Sequence, residues 1–216
     1  MHYVARWVRF MTHPVIMVIY GLAVVLAYVY VDKPIALKVH ALGLDAHYSI
    51  LVWITQLGRS VLYLTIIPVI GLYLRYGKRV KQEELRIWFL WLTLLGTNAI
   101  CFGMKIMLGR ARPELLFEHD LFGFFGWQLN SLYHSFPSGH VTLLTTMILS
   151  LTMLFPRYRW VYMTIALVVM ATRVLLSYHY LSDVLATSYL VVLEYRLLLY
   201  IVARECPLYW IRLGIV

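Results

Sequence analysis

The fold is decided by residues 14–31, PVIMVIYGLAVVLAYVYV, a stretch of 18 residues with no charged side chain. The hydrocarbon core of a bilayer is about 30 Å thick, and about 20 apolar residues of α-helix are needed to cross it. Further apolar runs occupy residues 50–74, 87–108, 141–155, 160–176 and 184–202, and Gly58-Arg59-Ser60 interrupts the first of these. We therefore predict an all-α fold, an integral membrane bundle of six transmembrane helices, with residues 1–216 forming a single domain.

The composition agrees with this class and excludes several others. Hydrophobic residues make up 62% of the 216-residue chain and charged residues 13%, whereas soluble domains average about 45–50% and about 25%. The two cysteines, Cys101 and Cys206, are too few for a disulfide framework and form no paired-cysteine metal motif. The composition therefore argues against a soluble domain and excludes the disordered, collagenous and disulfide-rich classes.

One segment between the first two apolar runs has a different character. Residues 32–48 mix charged and histidine side chains with leucine, isoleucine and valine. Such a mixture is typical of an amphipathic segment that lies in the membrane interface. We predict an interfacial segment here rather than a span.

The excess of basic residues has two explanations. Nineteen Lys and Arg against ten Asp and Glu give a net charge of +9, which in a soluble protein would indicate a nucleic-acid partner. With six spans, however, most basic residues fall on the side that carries both termini, and the positive-inside rule places that side in the cytoplasm. We predict cytoplasmic termini and no nucleic-acid partner. The basic residues that this rule leaves unexplained are Lys33, Lys38, Arg59, Lys105, Arg110, Arg112 and Arg173.

The first candidate element for chemistry is the pair Lys105 and Arg112, at the end of the third apolar run. The pair is separated by about two helical turns, so both side chains can point the same way if the helix continues to Pro113. Ionisable residues in a span are functional candidates by default. The alternatives are that Lys105 extends to the interface and that Arg112 is an ordinary loop charge.

The second element is Pro137-Ser138-Gly139-His140, directly before the fourth run. Serine is a favoured helix N-cap, and the free N–H groups at a helix start bind anions. Gly139 lets an anion approach the backbone closely, and His140 is placed to give a proton. The alternative is a capped helix beside a histidine without a chemical role.

The third element contains Arg173, His179 and Asp183. Residues four apart share a helix face, so Asp183 can accept a hydrogen bond from one ring nitrogen of His179 and leave the other free as a nucleophile. Considered without its neighbours, the His-Asp pair can also be structural.

The predicted topology brings the three elements to one end of the bundle. Three cations and two histidines beside a helix N-terminus suit phosphoryl transfer, which is catalysed mainly by positioning and charge neutralisation. An anion transporter is the alternative from a different class. It would place ionisable residues at several depths, whereas these are predicted to share one layer.

The three elements are Lys105-x6-Arg112-Pro113, Pro137-Ser138-Gly139-His140 and Arg173-x5-His179-x3-Asp183. Together they resemble the three-part signature of the type 2 phosphatidic acid phosphatase superfamily, whose membrane branch has six helices. The resemblance implies that His179 attacks phosphorus and forms a phosphohistidine, oriented by Asp183, and that His140 protonates the leaving oxygen. It implies no metal or other cofactor. The groups that hold the phosphoryl oxygens are, on the same resemblance, Lys105, Arg112, Arg173 and the backbone of Ser138 and Gly139.

The same resemblance implies a lipid phosphatase in a bacterial-type cytoplasmic (inner) membrane, with its site facing the periplasmic side. The substrate candidates, in order, are undecaprenyl diphosphate, lipid A phosphate, phosphatidylglycerol phosphate and phosphatidic acid. The stretch Phe122-Gly123-Phe124 has a weaker likeness to small bacterial phosphatases of lipid A or polyprenyl diphosphates. If an acceptor other than water takes the phosphoryl group, the same site is that of a lipid phosphotransferase.

The loop of residues 109–137 is long and rich in aromatic residues, and we predict that it lies over the site at headgroup level. The alternative is that its rings pack on helix ends. Within it, His119 and His134 do not have the spacing of a standard zinc site. Nothing in the sequence indicates an oligomeric state, and the sequence leaves open the roles of four residues: Arg59, Arg110, His119 and His134.

Overall fold

The computed structural model describes residues 2–43 and 49–205, and within these residues the chain is helical with no β-strand. Arg110 and Phe124 form an isolated antiparallel bridge. The predicted all-α class is confirmed. Cys206 and residues 44–48 of the predicted interfacial segment lie outside the described residues.

The described residues form nine α-helices: α1 His2–Met11, α2 Pro14–Ala41, α3 Ser49–Gln56, α4 Ser60–Lys78, α5 Lys81–Leu108, α6 Pro113–His119, α7 Gly139–Leu154, α8 Arg159–Leu175 and α9 Leu181–Glu205. Two of them contain a wider, π-helical turn, at Ala27–Val31 in α2 and at Leu74–Lys78 in α4. A 3₁₀ turn, Pro156–Tyr158, leads into α8.

Five of these helices, α2, α4, α5, α8 and α9, are long and apolar enough to cross a membrane. Their outward side chains are large and apolar; for example, Val18 is 63% exposed and Tyr30 is 69% exposed. Water solvates such a surface poorly, whereas lipid tails solvate it well. The protein is therefore an integral membrane protein.

Helix α7 is apolar but has only 16 residues, which corresponds to about 24 Å at 1.5 Å per residue. Eleven of its residues are buried, because α5, α8 and α9 pack around it. A helix enclosed by protein does not have to match the bilayer thickness as a lipid-facing helix does. The count of six spans stays a prediction.

The core between α5, α7 and α9 fixes the position of α7. It contains fully buried Leu94, Leu143 and Tyr195. Two pairs of hydroxyls link α5 to α7 across this core, at 3.0 Å between Thr97 and Thr146 and at 3.1 Å between Thr93 and Ser150. Bonds of this kind contribute roughly 0.6 kcal/mol each in membrane bundles, and they set the register between the ends of α5 and α7.

The structure differs from the sequence-based expectation between the first two apolar runs. Helix α2 continues without a break to Ala41, so residues 32–41 extend the first span and are not a separate interfacial segment. Asp32 is 1% exposed. It is buried because Arg110 and Ser182 pair with it, a contact between distant parts of the chain.

Two other features concern helix boundaries. The second apolar run is interrupted near Gly58, as its sequence indicates, and the interruption separates α3 from α4. Helix α1 was not predicted: Val4 and Val8 are buried in the core, while Arg6 and Arg9 are exposed.

Candidate active site

Four helix ends and the two loops that follow α5 and α8 form the candidate site. Helices α5 and α8 carry Lys105 and Arg173 in their last turns, and α7 and α9 carry His140 and Asp183 in their first turns. His179 lies in the loop between α8 and α9. All three motif elements therefore meet at one end of the bundle, as predicted from the topology.

The ring of His179 is buried among positive charges. Burial is the main reason that the pKa of His179 lies well below its ordinary value of 6.5, and the charges of Arg173, Lys105 and Arg112 lower this pKa further. The hydrogen bond with the backbone of Ser135 acts in the opposite direction. At neutral pH the ring is therefore uncharged, which is the state in which a histidine has a lone pair to offer.

A backbone carbonyl orients this ring. The Nδ1 atom of His179 lies 2.6 Å from the carbonyl oxygen of Ser135, and because a carbonyl only accepts, Nδ1 must be the donor. Nδ1 lies 3.8 Å from Oδ2 of Asp183, which is beyond hydrogen-bond distance. The structure thus replaces the predicted direct bond to Asp183 with a bond to Ser135, and Nε2 is left as the free ring nitrogen.

Ser135 connects the nearby elements. Its N–H donates to the carbonyl of Arg110 at 3.0 Å, its hydroxyl donates to Oδ2 of Asp183 at 2.6 Å, and its carbonyl accepts from His179. Asp183 therefore influences His179 through Ser135. Ser135 was not among the residues predicted from the sequence, where only its position just before the second motif marks it.

Asp183 also fixes the start of α9. Its Oδ2 accepts the backbone N–H of Tyr180 at 3.0 Å, the contact that an acidic side chain at the third helical position makes in a capping box. Tyr180 directly follows His179, so this bond holds the backbone beside the candidate nucleophile.

Two arginines offer unused donors. The Nε atoms of Arg112 and Arg173 are buried and have no hydrogen-bond partner. Arg173 is held by its Nη1, which donates to Oγ1 of Thr55 at 2.8 Å, and by the ring of Tyr178, 4.3 Å from its guanidinium carbon. Buried donors without a partner are uncommon in native proteins. These two are available to an anion.

Lys105 is the third cation of the site. Its Nζ donates to the carbonyl of His134 at 2.9 Å, and its charge is close enough to affect both His179 and His140. The carbonyl bond uses one of the three donors of the ammonium group, so the other two remain to bind an anion.

The start of α7 differs in detail from the expectation. Ser138 stands at the N-cap but its hydroxyl makes no cap bond, and this buried oxygen has no partner. Its N–H, predicted to hold a phosphoryl oxygen, donates instead to Oγ1 of Thr187 at 2.9 Å. The hydroxyl of Ser138 is therefore the donor left for an anion. A Cβ added at Gly139 would meet nothing within 4 Å, so space is open beside that backbone.

His140 is positioned by the break between α3 and α4. A Cβ added at Gly58 would lie 2.4 Å from Cδ2 of His140, so the ring packs directly on the glycine backbone. The backbone of Thr55 also lies within hydrogen-bonding reach of the ring. The sequence indicated the interruption at Gly58 but did not connect it with His140.

The remaining candidates lie outside this constellation. His119 is exposed beside Glu118, Arg59 is exposed, and Nε2 of His134 donates to the carbonyl of Gln128 at 2.9 Å. Among the residues that the structure describes, no three His, Cys, Asp or Glu side chains are grouped so that they could hold a metal ion.

The aromatic loop lies along the end of α5. Backbone bonds join Phe125 to Gly109 and Gln128 to Ile106, each at 2.9 Å. Its outer edge is apolar, with Trp127 71% exposed. This edge suits the headgroup region of a bilayer.

Comparison with known proteins gives the family. A family model described as the PAP2 superfamily matches residues 86–206, which include every motif residue named above. The chain belongs to the PAP2 superfamily. This confirms the family that the three motifs resembled.

Two curated relatives of this PAP2 chain are each named lipid A 1-phosphatase, one from Rhizobium johnstonii and one from Rhizobium etli. Each is 34% identical over 112 residues, which cover 50% of this chain and 46% or 48% of the relative. The chain thus spans about half the length of the curated relatives it matches. No solved structure matches it.

Proposed function

We propose that this PAP2 protein is a membrane lipid phosphatase, which hydrolyses a phosphomonoester or diphosphate on a lipid through a phosphohistidine. One observation carries the proposal: the unpartnered, buried Nε donors of Arg112 and Arg173 share a layer with the uncharged, buried ring of His179. Cationic donors fixed in place bind a phosphoryl group without reorganising during the reaction. An uncharged ring among them is the available nucleophile.

In the first step, the Nε2 lone pair of His179 forms a bond to phosphorus while the bond from phosphorus to the lipid oxygen breaks. The bound phosphoryl anion favours the protonated form of His140, which gives its proton to that oxygen, so the lipid leaves as a neutral hydroxyl, or as a monophosphate when the substrate is a diphosphate. The Nδ1 proton stays on His179 and keeps its hydrogen bond to the Ser135 carbonyl. The donors to the phosphoryl oxygens are Lys105, Arg112 and Arg173, together with the hydroxyl of Ser138 and the backbone N–H of Gly139.

In the second step, water forms a bond to phosphorus and gives a proton to His140 as the bond between Nε2 and phosphorus breaks. Inorganic phosphate leaves, and both histidines return to their starting states. Each histidine therefore has one role in bond formation or proton transfer, and neither step uses a metal ion.

The proposed substrate is lipid A phosphate, followed by undecaprenyl diphosphate, phosphatidylglycerol phosphate and phosphatidic acid. The names of the two Rhizobium relatives support placing lipid A first. We further propose that residues 1–216 act as one domain in the inner membrane, with cytoplasmic termini and the site at the periplasmic face.

The test is release of inorganic phosphate from these four lipids by the purified protein in detergent, with no acceptor present. We expect release from at least one lipid and no change on addition of EDTA. Transfer to an added lipid without hydrolysis would identify a phosphotransferase instead. Strong inhibition by EDTA would overturn metal independence.

The dependence on pH follows from the lowered pKa of His179. Above that pKa the ring of His179 is uncharged and able to attack, so His179 sets the acid side of the profile, on which activity is lost as the pH falls through that pKa. We therefore expect kcat/KM to hold well below pH 6.5, the ordinary value for histidine. The substrate also titrates, because the second pKa of a phosphomonoester is about 6. This pKa is measured by ³¹P titration, and the pH profile of kcat/KM is corrected for it. A loss centred at or above pH 6.5 after this correction would contradict the expectation.

Gly58→Ala is expected to displace His140, because the added methyl carbon would lie 2.4 Å from the ring. A shift of about 1 Å in a catalytic group costs up to about 100-fold in rate, and we expect kcat to fall at least tenfold. Gly96→Ala is the matched control, since a Cβ there meets nothing within 4 Å. Equal kcat values for the two variants would show that Gly58 does not position His140.

A further inference from the structure

A second ionic cluster lies directly behind the site. Arg110 is 2% exposed, and its Nη2 donates to Oδ2 of Asp32 at 2.7 Å. Its Nη1 donates to Oγ of Ser182 at 2.8 Å and also to Oδ1 of Asp183. One guanidinium group thus joins a carboxylate of α2 to a carboxylate of α9.

Asp32 caps α9 from another helix. Its Oδ1 accepts the backbone N–H of Ser182 at 2.9 Å, and its Oδ2 accepts the hydroxyl of the same residue. Ser182 is the second residue of α9, where backbone N–H groups have no partner within the helix. A negative charge at that position also interacts favourably with the helix dipole, whose positive end lies at the N-terminus. The first span therefore holds the start of the helix that carries Asp183.

Aromatic rings shield this cluster. The guanidinium carbon of Arg110 lies 4.7 Å from the ring centre of Tyr180, 4.9 Å from that of Tyr28 and 5.4 Å from that of Phe124. Such contacts are attractive, and they are stronger where water is excluded. The rings leave Arg110 little freedom to change partners.

We propose that Arg110 and Asp32 are positioning residues for His179. Their effect passes from Asp32 to Arg110, then to Asp183, to the hydroxyl of Ser135, and from its carbonyl to Nδ1 of His179. No atom of either residue needs to touch the substrate. The proposal rests on the proposed function, and it makes α2 part of the catalytic unit although Asp32 lies outside the PAP2 match of residues 86–206.

A purely stabilising role would not require these residue types. Replacing a buried ion pair with apolar side chains of similar volume is often neutral or favourable for stability. Directional bonds with fixed partners on α2, on α9 and in the loop of residues 109–137 instead hold one geometry. The last of these bonds holds Nδ1 of His179, and the orientation of the ring determines the direction in which Nε2 attacks phosphorus.

The first test is Asp32→Asn, which keeps the shape but removes the charge that Arg110 contacts. We expect kcat for lipid hydrolysis to fall at least tenfold and KM to change less than threefold, in protein that elutes as the wild type does. Glu83→Gln is the matched control, because Glu83 pairs with Arg86 on α5, away from the site. Unchanged kcat in Asp32→Asn would overturn the proposal.

A second variant guards against misfolding. Ser182→Ala removes only the hydroxyl between Asp32 and Arg110, and we expect a threefold to tenfold loss of kcat. We also expect Asp32→Asn combined with Ser135→Ala to lose less than the product of the two single losses, because both interrupt one connection. If the loss of kcat in the double variant equalled the product of the two single losses, Asp32 and Ser135 would act independently, which would contradict the proposal.

Ligand binding separates this inference from the proposed function. Orthovanadate accepts a fifth ligand from a histidine, whereas inorganic phosphate needs only the surrounding donors. By calorimetry, we expect Asp32→Asn to weaken orthovanadate binding at least tenfold and phosphate binding less than twofold. If wild type hydrolyses no lipid but this difference holds, the proposed function fails and positioning stands. If Asp32→Asn weakened the binding of both ligands equally, the proposal that Asp32 positions His179 would be overturned.

Discussion

His179→Ala is expected to reduce phosphate release by about 1,000-fold or more, because the covalent route depends on the Nε2 lone pair. The cations that bind phosphate remain in this variant, so substrate binding should change far less than kcat. The measurement is phosphate release at saturating lipid. His119→Ala is the matched control, since His119 is an exposed histidine of α6 and should retain full activity.

The intermediate gives an independent measurement for the same variant. A phosphohistidine is labile in acid and persists in base, so rapid quenching of the wild type with labelled substrate should leave base-stable label on the protein. His179→Ala should leave none. Full activity in His179→Ala, or label retained after that substitution, would eliminate the phosphohistidine route.

The sequence was sufficient to predict the membrane class and the clustering of the motifs. Uncharged runs such as residues 14–31 have few alternatives to a transmembrane helix. Once helices alternate in direction, Lys105, His140, Arg173 and Asp183 must lie at one end of the bundle. Their contacts with individual atoms were not predictable in this way.

The missed residues have partners that are distant in the sequence. Asp32 bonds Ser182 across 150 positions, and Thr55 bonds Arg173 across 118. No periodic pattern marks such a pair, so Asp32 was assigned to an interfacial segment, whereas it lies within the continuous helix α2. The expected bond between His179 and Asp183 followed from helical spacing, but His179 precedes α9 and its Nδ1 meets the Ser135 carbonyl instead.

Asp183→Asn is expected to lower kcat about 100-fold with little change in KM. An aspartate that orients a catalytic histidine directly contributes up to about 10⁴-fold, and here the effect is smaller because it passes through Ser135. The amide also loses the charge that pairs with Arg110, and removing one partner of a buried ion pair costs about 3–5 kcal/mol. We therefore expect a lower unfolding temperature as well.

Asp120→Asn is the matched control for this substitution. Asp120 is exposed and has a left-handed backbone with φ of 51°, a conformation that asparagine tolerates well. It should keep both kcat and stability. If Asp183→Asn instead raises KM and leaves kcat unchanged, Asp183 acts on phosphate binding. Its bonds to Ser135 and Tyr180 would then position the phosphate-binding cations rather than the ring of His179. Ser135 offers such a route, because its N–H also donates to the carbonyl of Arg110, two residues before Arg112.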